Sequence, residues 1–224
     1  MTELLVTTFL SLDGVMQAPG APDEDRSGGF DQGGWLVPFA DEDMMRFVVD
    51  WIARADGFLL GRKTYEIFAA HWPRVTDPDD LVARALNTLP KYVASKTLDR
   101  VEWNNSTLIQ GDVVEEITNL KRRHGKELQV HGSGGLAQTL IENDLVDEYR
   151  LWSFPVILGR GKRLFGTGTV PATLKLVDSK TTSTGVAIHT YRRAGEMQYG
   201  SVEATEWREV FRRQSEQTNP GDEK

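Results

Sequence analysis

Cysteine is absent from the 224-residue sequence, and histidine is scarce. Without cysteine the protein has no disulfide bond, no thiolate nucleophile and no cysteine-ligated zinc or iron–sulfur centre. The four histidines, at positions 71, 124, 131 and 189, lack the spacing of metal ligands. We therefore expect no metal site, and we interpret each histidine as a surface or packed side chain.

Long apolar runs are also missing. No stretch reaches the roughly 18 apolar residues that a membrane-spanning helix needs, and no basic segment followed by an apolar one marks the start of the chain. We expect neither membrane insertion nor secretion, which favours the cytoplasm. The formal net charge of -7 argues against nucleic-acid binding, which usually requires a basic surface.

The pattern of apolar residues alternates strands with helices before the chain ends in strands. Strands are predicted at residues 3–12, 58–60, 91–94, 107–110 and 128–131, and helices at 41–55, after 61, at 79–89, at 112–124 and directly after the glycines at 132–135. Further strands are predicted at 145–158, 173–179 and 185–192, with a hairpin turn at 184–185. The alternation favours an α/β fold whose mostly parallel sheet is covered on both faces and carries an antiparallel hairpin at one edge.

Residues 17–40 form a long segment rich in glycine and proline, which predicts a loop. A loop of this length in a compact domain is usually either a functional cover or disordered. Phe30, Trp35 and Phe39 provide apolar anchors that a linker does not need. We therefore favour a cover over a ligand site.

Three predicted strand ends carry the chemistry of a phosphate site. They are Gly61-Arg62-Lys63-Thr64, Ser95-Lys96 and Gly132-Ser133-Gly134-Gly135. Glycine lets the backbone approach a ligand closely, and a helix that begins directly afterwards directs free N–H groups at an anion. Parallel strands bring such turns to one edge of the sheet. One ligand with two separate phosphate groups would use all three, which favours NADPH over NADH because a 2′-phosphate requires cations.

A Rossmann domain is the alternative interpretation of the glycine turn. Residues 132–137 fit the pattern G-x-G-x-x-A after a strand. That fingerprint usually opens its sheet and is followed by an acidic residue at the end of the next strand. Here the turn follows earlier strand–helix passages, and Asp147 and Glu148 lie near the start of the next strand. The Rossmann interpretation is therefore the less favoured one.

Four short motifs together resemble a known family. They are Ser11-Leu12-Asp13-Gly14, the turns at 61–64 and 132–135, and Pro155-Val156-Ile157-Leu158-Gly159-Arg160-Gly161 with Leu164-Phe165. In this order they resemble the dihydrofolate reductase superfamily. More narrowly, they resemble the reductase domain at the C-terminal end of bacterial riboflavin-biosynthesis deaminase/reductases, the RibD C-terminal domain, and its stand-alone relatives. The resemblance covers about residues 3–193.

The resemblance implies a three-layer, dihydrofolate reductase-like domain at residues 1–195, with an eight-stranded, mostly parallel twisted sheet. It also implies NADPH as hydride donor and a homodimer. Carried over by position, the cofactor-binding residues are Gly61, Arg62, Lys63, Thr64, Ser95, Lys96, Gly132, Ser133, Gly134 and Gly135. The substrate-side residues are Ser11, Asp13, Gly14, Trp35, Phe154 and Gly159. The candidate proton donor is Asp13, with a bound water as the alternative. Residues 159–163 would form a loop that closes over the site, and the alternative is an ordinary turn between antiparallel strands. Residues 196–224 lie outside this domain, and their pattern predicts an amphipathic helix and a polar tail.

Two departures from the family restrict the substrate. A folate-reducing member has a carboxylate on the first helix that binds the pterin, but Asp50 lies on the polar side of the predicted helix and residues 41–43 are better explained as caps. The sequence also lacks the histidine and cysteine set of the zinc-dependent deaminase domain, so we expect only the reductase step. We expect an NADPH-dependent reductase that transfers hydride to a C=N or C=O group of a small heterocyclic or ribosylamino-pyrimidine-like substrate. The alternatives are a non-catalytic nucleotide-binding or dimerisation module and a pterin reductase.

Overall fold

The computed structural model describes residues 1–123, 125–166 and 169–201, together with 208, 209 and 211–213. The amphipathic helix predicted at residues 203–213 and the polar tail after it lie largely outside the described residues. Both therefore stay predictions.

The described ranges contain five α-helices and eight strands, and three short 3-10 turns at Ser27–Gly29, Val37–Phe39 and Trp72–Arg74. In chain order the elements are β1 (Glu3–Ser11), α1 (Glu42–Ile52), β2 (Ala55–Gly61), α2 (Arg62–His71), α3 (Leu81–Thr88), β3 (Lys91–Ala94), β4 (Ser106–Ile109), α4 (Val113–Lys121), β5 (Glu127–His131), α5 (Gly134–Glu142), β6 (Glu148–Phe154), β7 (Leu174–Thr181) and β8 (Ala187–Arg193).

All eight strands belong to one sheet with the order β4-β3-β2-β5-β1-β6-β8-β7. The first six strands in this order pair in parallel, whereas β8 pairs antiparallel with both β6 and β7. The predicted mostly parallel sheet and its antiparallel edge hairpin are therefore confirmed. The order differs from the 3-2-1-4-5-6 arrangement of a Rossmann domain, so that alternative is excluded.

The strand predicted at residues 145–158 is shorter than expected, because β6 covers only Glu148–Phe154. Its end is set by Pro155, which has no N–H to donate to the sheet. Its start is set by the turn after α5, in which Asp144 adopts a positive φ of 58° and the Asp147 carboxylate accepts a hydrogen bond from the Leu4 N–H at 2.8 Å. An apolar pattern alone reveals neither the turn at Asp144 nor the hydrogen bond between Leu4 and Asp147.

Apolar side chains pack on both faces of the sheet and make three layers. On one face, β1 and β5 contribute Leu4, Val6, Leu128 and Val130, which pack against α4 and α5. On the other face, α1, α2 and α3 cover Phe58, Leu60 and Val93. The loop at residues 17–40 has its own core beneath it, formed by Phe30, Trp35, Met44, Trp51, Trp152 and Phe154.

A row of charged side chains is buried under α1. Arg150 of β6 donates two hydrogen bonds to the Glu127 carboxylate of β5, at 3.0 and 2.8 Å, and a third to Glu148 at 2.7 Å. All three side chains belong to the buried part of the protein, and the Arg150 guanidinium lies 5.1 Å from the centre of the Trp51 ring. Charges in such a place persist only when they are paired and hydrogen-bonded.

Lys91 is a second buried charge and lies at the start of β3. Its Nζ donates hydrogen bonds to the main-chain carbonyls of Leu86 and Leu89, at 2.7 and 2.9 Å, and lies 4.4 Å from the centre of the Trp103 ring. The side chain is fully buried, and this burial lowers the pKa of Lys91 from 10.5 to about 8. A neutral amine still has two N–H groups, which is enough for both carbonyls.

This pKa predicts that stability rises with pH in the alkaline range. Between pH 8 and 10.5 Lys91 is more often protonated in the unfolded chain than in the folded protein. Below pH 8 the folded protein must bury the charged amine, which lowers its stability by the full amount. As the pH rises towards 10.5 this destabilisation is progressively lost. Relative to Lys91→Met, the wild type should gain up to about 1.4 kcal/mol in free energy of unfolding per pH unit. Urea denaturation of both proteins across this range measures the difference, and a constant difference would contradict the prediction.

Candidate active site

A cleft of about 1770 Å³ lies at the carboxyl edge of the sheet. Its walls come from the ends of β1, β2, β3 and β5, from α1 and α2, and from the first half of the loop at residues 17–40. Ordinary ligand pockets have volumes of about 300 to 1,000 Å³. This cleft therefore has room for a dinucleotide and a second small molecule.

The three predicted turns meet in this cleft. Because β3, β2 and β5 are neighbours in the sheet, their carboxyl ends are adjacent, and residues 61–64, 95–96 and 132–135 all line the same cavity. Side chains join two of the turns directly. The Gly61 N–H donates to the Ser133 hydroxyl at 2.9 Å, and the Ser133 N–H donates to the Thr64 hydroxyl at 3.0 Å.

The helices α2 and α5 begin without a side-chain cap. In contrast, α1, α3 and α4 begin with Asp41, Asp80 and Asp112, whose carboxylates accept hydrogen bonds from N–H groups of the first turn. At α2 and α5 no side chain does so, and neither first turn contains an acidic residue. Their free N–H groups and positive dipole ends therefore face the cleft edge without an anionic partner from the described residues.

Cations surround these uncapped helix ends. Arg62, Lys63 and Lys96 all line the cleft. The Arg62 guanidinium is held by Glu66 at 2.7 Å and by the Thr97 hydroxyl at 2.6 Å, which keeps it on the side of the turn at 95–96. Lys63 and Lys96 are exposed and form no ion pair with any described residue. The arrangement suits a ligand with several negative charges.

The glycine turn leaves space for a ligand. Gly132 has a positive φ of 53°, and a Cβ at this position would lie 3.4 Å from the Thr64 hydroxyl. A Cβ added to Gly134 would meet the Met16 sulfur at 3.1 Å, whereas one added to Gly135 would extend into open space. The Ser133 hydroxyl donates to the carbonyl of His131 at 2.8 Å and accepts from Gly61, so it holds the turn together. The main chain of 134–135 is therefore the part of the turn that is available to an anion.

The loop at residues 17–40 forms one wall of the cleft. Gln17 fastens it, because its amide donates to the carbonyls of Asp25 and Ser27 and accepts from the Lys162 N–H. The Lys162 ammonium pairs with the Asp25 carboxylate at 2.7 Å. Burial raises the pKa of Asp25, but the contacts from Lys162 and Ser27 together outweigh it, so that the pKa lies below its ordinary value. The segment predicted to close over the site, residues 159–163, is thus tied to the loop, and Gly161, Lys162 and Arg163 line the cleft.

Asp13, the predicted proton donor, does not line the cleft. Its carboxylate accepts a hydrogen bond from the Ser11 hydroxyl at 2.7 Å and others from the N–H groups of Leu158 and Gly159. These hydrogen bonds, that from Ser11 first, hold the pKa of Asp13 well below its ordinary value. The carboxylate is therefore ionised near neutral pH, and its contacts favour a role in holding residues 158–159 in place over a role as an acid.

The remaining substrate-side residues also lie away from the cleft wall. The Trp35 ring packs edge-on against Phe154 at 5.4 Å and donates a hydrogen bond to the Gln17 carbonyl, and both aromatic rings are buried in the core beneath the loop. Ser11, Gly14 and Gly159 belong to the turn and loop around Asp13. Direct contact of Trp35 and Phe154 with a substrate is therefore not favoured, because both rings are buried by packing in the core.

Several residues that line the cleft were not predicted. Phe9, Met16, Met44 and Val48 form an apolar wall, and His131, the last residue of β5, lies beside the glycine turn. A histidine directly before a glycine turn at a strand end is a signal that the sequence does contain. The role of this histidine depends on the side chains around it, such as Phe58 and Phe68, which lie far from it in the sequence.

Neither a membrane-spanning helix nor a metal-binding cluster of side chains occurs among the described residues. No helix among them has the length and apolar character needed to cross a bilayer. They also contain no cluster of three or more histidine and acidic side chains that could hold a metal ion.

Comparison with solved structures supports the same fold. The chain is similar to a putative riboflavin biosynthesis protein from Shewanella sp. PV-4, with 24% identity, a TM-score of 0.61, and coverage of 87% of this chain and 100% of that one. It is also similar to a pyrimidine reductase-like protein from Corynebacterium diphtheriae, with 12% identity, a TM-score of 0.57, and coverage of 87% and 93%. A diaminohydroxyphosphoribosylaminopyrimidine deaminase/5-amino-6-(5-phosphoribosylamino)uracil reductase from Thermotoga maritima matches with 14% identity and a TM-score of 0.57 over 86% of this chain and 57% of that one.

Sequence comparison identifies the family. The uncharacterized protein YyaP of Bacillus subtilis (strain 168) is 31% identical over 194 residues, which are 86% of this chain and 95% of YyaP. The uncharacterized protein YwjB of the same organism is 27% identical over 158 residues, 70% of this chain and 85% of YwjB. The sequence model of the RibD C-terminal domain matches residues 2–188. The chain therefore belongs to the RibD C-terminal domain family.

Proposed function

We propose that this protein is an NADPH-dependent reductase that transfers hydride to a C=N or C=O carbon of a small heterocyclic or ribosylamino-pyrimidine-like substrate. One observation carries the proposal. Two uncapped helices, α2 and α5, begin at the adjacent ends of β2 and β5, and Arg62, Lys63 and Lys96 surround them in one cleft. A dinucleotide with an additional phosphate has the charge and the length for such a cleft.

The residues present fit this cofactor. The free N–H groups of α5 and the open space beside Gly135 would accept the pyrophosphate, together with the N–H groups at the start of α2. Arg62 and Lys96, with the Ser95 hydroxyl near them, would bind the 2′-phosphate, which NADH lacks. NADPH would supply the hydride. The protein would contribute binding and orientation, and the apolar wall of Phe9, Met16 and Met44 would exclude water from the reacting atoms.

The geometry does not favour a pterin substrate. The side chains of α1 that line the cleft are Met44, Met45, Val48 and Ile52, none of which is acidic. Asp50 is exposed, and the Asp41 carboxylate caps its own helix. A carboxylate of α1 is therefore not available to a pterin ring. The Thermotoga relative is named for a uracil derivative, which makes pyrimidines the first class to test. The homodimer stays a prediction.

Cofactor titration tests the proposal first. We expect NADPH to bind with a micromolar dissociation constant and NADH at least about tenfold more weakly, because one charge-assisted interaction with the 2′-phosphate is worth about 1.5 kcal/mol or more. Isothermal titration calorimetry measures both. If neither cofactor bound in the micromolar range, the proposal would be excluded, and equal binding of the two would exclude the 2′-phosphate assignment.

Assays of NADPH oxidation with candidate substrates then distinguish an enzyme from a non-catalytic binding module. NADPH consumption at 340 nm should accelerate with one member of a panel of pyrimidines, flavins and pterins, among which 5-amino-6-(5-phosphoribosylamino)uracil is the first choice. If NADPH binds but is not consumed with any member of the panel, the result would support a non-catalytic nucleotide-binding module of the same fold.

A further inference from the structure

His131 occupies a position in the cleft that the proposed function leaves without a role. It is the last residue of β5, pairs in register with Thr7 of β1, and lies directly before the glycine turn. Its imidazole is partly buried between Phe58 at 5.5 Å and Phe68 at 6.5 Å, measured between ring centres. Both Thr7 and Phe68 line the cleft with it.

The neighbouring side chain decides which imidazole nitrogen carries the proton. Gln129 lies two residues earlier on the same face of β5, and its Oε1 is 3.1 Å from Nε2 of His131. The two amide hydrogens of Gln129 are already used, since Nε2 of Gln129 donates to the Trp51 carbonyl at 2.8 Å and to the Glu127 carboxylate at 2.9 Å. Only the carbonyl oxygen of Gln129 remains for His131, so the imidazole must donate from Nε2.

The orientation of the Gln129 amide is itself fixed. If the amide turned over, its oxygen would face two acceptors, the Trp51 carbonyl and the Glu127 carboxylate, and both hydrogen bonds would be lost. Glu127 cannot move away, because Arg150 holds both of its oxygens. The hydrogen bonds that run from Arg150 through Glu127 to Gln129 therefore hold the His131 imidazole in one tautomer at the cleft.

The imposed state leaves Nδ1 as a hydrogen-bond acceptor. A neutral imidazole that carries its hydrogen on Nε2 has a lone pair on Nδ1. No described residue donates a hydrogen bond to this atom, although His131 lines the cleft. Acceptors of this kind in a ligand cleft select ligands that present a donor.

We propose that His131 is a substrate-recognition residue whose Nδ1 accepts a hydrogen bond from a ring N–H of the substrate, and that Gln129 is the positioning residue that holds the imidazole in the required tautomer. The identification of the donor as part of the substrate rests on the proposed function, whereas the fixed tautomer does not. The ligand class is thereby narrowed to heterocycles that keep an unsubstituted ring nitrogen, such as pyrimidinones.

The protonation state agrees with this role. Burial, followed by the positive charge of Arg150, lowers the pKa of His131 to about 4. Phe58 of β2, Phe68 of α2 and Thr7 of β1 add no charge, and Glu127 is already paired with Arg150. The imidazole is therefore neutral near pH 7, so it accepts a hydrogen bond there and does not supply the proton of the reduction.

Nitrogen-15 NMR of the histidine-labelled protein tests the tautomer without any ligand. The resonances that disappear in His131→Phe identify the residue. We expect a neutral imidazole with its hydrogen on Nε2 throughout the range from about pH 5 to 8. In Gln129→Met this preference should be lost, whereas Gln138→Met, which removes a glutamine from the same cleft, should leave it unchanged. A wild-type His131 that titrates near its ordinary value, or that carries its hydrogen on Nδ1, would overturn the proposal.

A matched pair of probes tests the recognition step. Uracil has two ring N–H donors, and 1,3-dimethyluracil has none. In the presence of NADP⁺, uracil should shift the Nδ1 resonance of His131, and 1,3-dimethyluracil should not. Equal shifts with both probes, or no shift with either near their solubility limits, would refute Nδ1 as the acceptor for the substrate. Neither result alters the NADPH titration, so a failure here is distinct from a failure of the proposed function.

Kinetics with an accepted substrate provide a second measurement. His131→Phe should raise KM by about tenfold or more, in keeping with the loss of one hydrogen bond to a buried group, and change kcat much less. A fall in kcat at constant KM would assign His131 to the chemical step and overturn the recognition role.

Discussion

The substitution Arg150→Met is expected to lower the free energy of unfolding by about 3–5 kcal/mol. Arg150 is only 4% exposed, and its guanidinium satisfies Glu127 with two hydrogen bonds and Glu148 with one. Methionine fills much of the same space but leaves Glu127 buried without a cation. Glu148 keeps a partner, because Arg192 donates to its second oxygen at 2.9 Å. The expected loss therefore comes mainly from the orphaned Glu127.

Urea denaturation measures this loss, and two further proteins make the result specific. Arg100→Met removes an arginine whose ion pair with Glu102 is largely exposed, and it should cost less than about 1 kcal/mol. The double variant Glu127→Gln/Arg150→Met removes the orphaned charge and should recover part of the loss. If Arg150→Met is no more destabilising than Arg100→Met, the buried row does not contribute as described.

The double variant Arg62→Ala/Lys96→Ala should weaken NADPH binding by about 100-fold and NADH binding by less than about fivefold. Each lost contact between a cation and phosphate is worth about 1.5 kcal/mol or somewhat more, and two of them together correspond to roughly two powers of ten. The cleft supplies the geometric reason. Both side chains line it beside the turn at 95–96, and the Thr97 hydroxyl holds Arg62 there.

A control variant with the same change in net charge shows whether the loss of two positive charges by itself weakens cofactor binding. Arg46→Ala/Arg100→Ala removes two exposed arginines that do not line the cleft, and it should leave both cofactors nearly unaffected. Calorimetric titration of the three proteins with both cofactors gives the comparison. A loss of similar size for NADPH and NADH would mean that Arg62 and Lys96 act on the shared part of the cofactor or on the fold.

The buried row connects the stability of the sheet with the state of the cleft. Arg150 holds Glu127, Glu127 orients Gln129, and Gln129 sets the tautomer of His131. Arg150→Met should therefore disturb the histidine NMR signals as well as the stability, and these two effects are coupled because they pass through the same side chains.

Local sequence was enough to predict most elements of the fold. The caps of α1 and α4, Asp41 and Asp112, accept the hydrogen bonds expected of them. The turns at 61–64, 95–96 and 132–135 lie at one sheet edge, as the alternation of strands and helices predicts. These features depend on periodicity, on capping and on glycine conformations, which act within a few residues of the chain. The sheet order, and with it the exclusion of a Rossmann domain, required the family resemblance or the structure.

The sequence by itself therefore determined the α/β class, the antiparallel edge and the glycine and basic residues of the strand ends that line the cleft. Only the tertiary structure decided what Asp13, Trp35 and His131 do. Asp13 meets the N–H groups of Leu158 and Gly159, and Trp35 packs on Phe154, across more than a hundred residues of chain. His131 acquires its role from Gln129 and, through it, from Trp51 and Arg150. Hydrogen bonding and packing between distant segments depend on the sheet order, which no local pattern specifies.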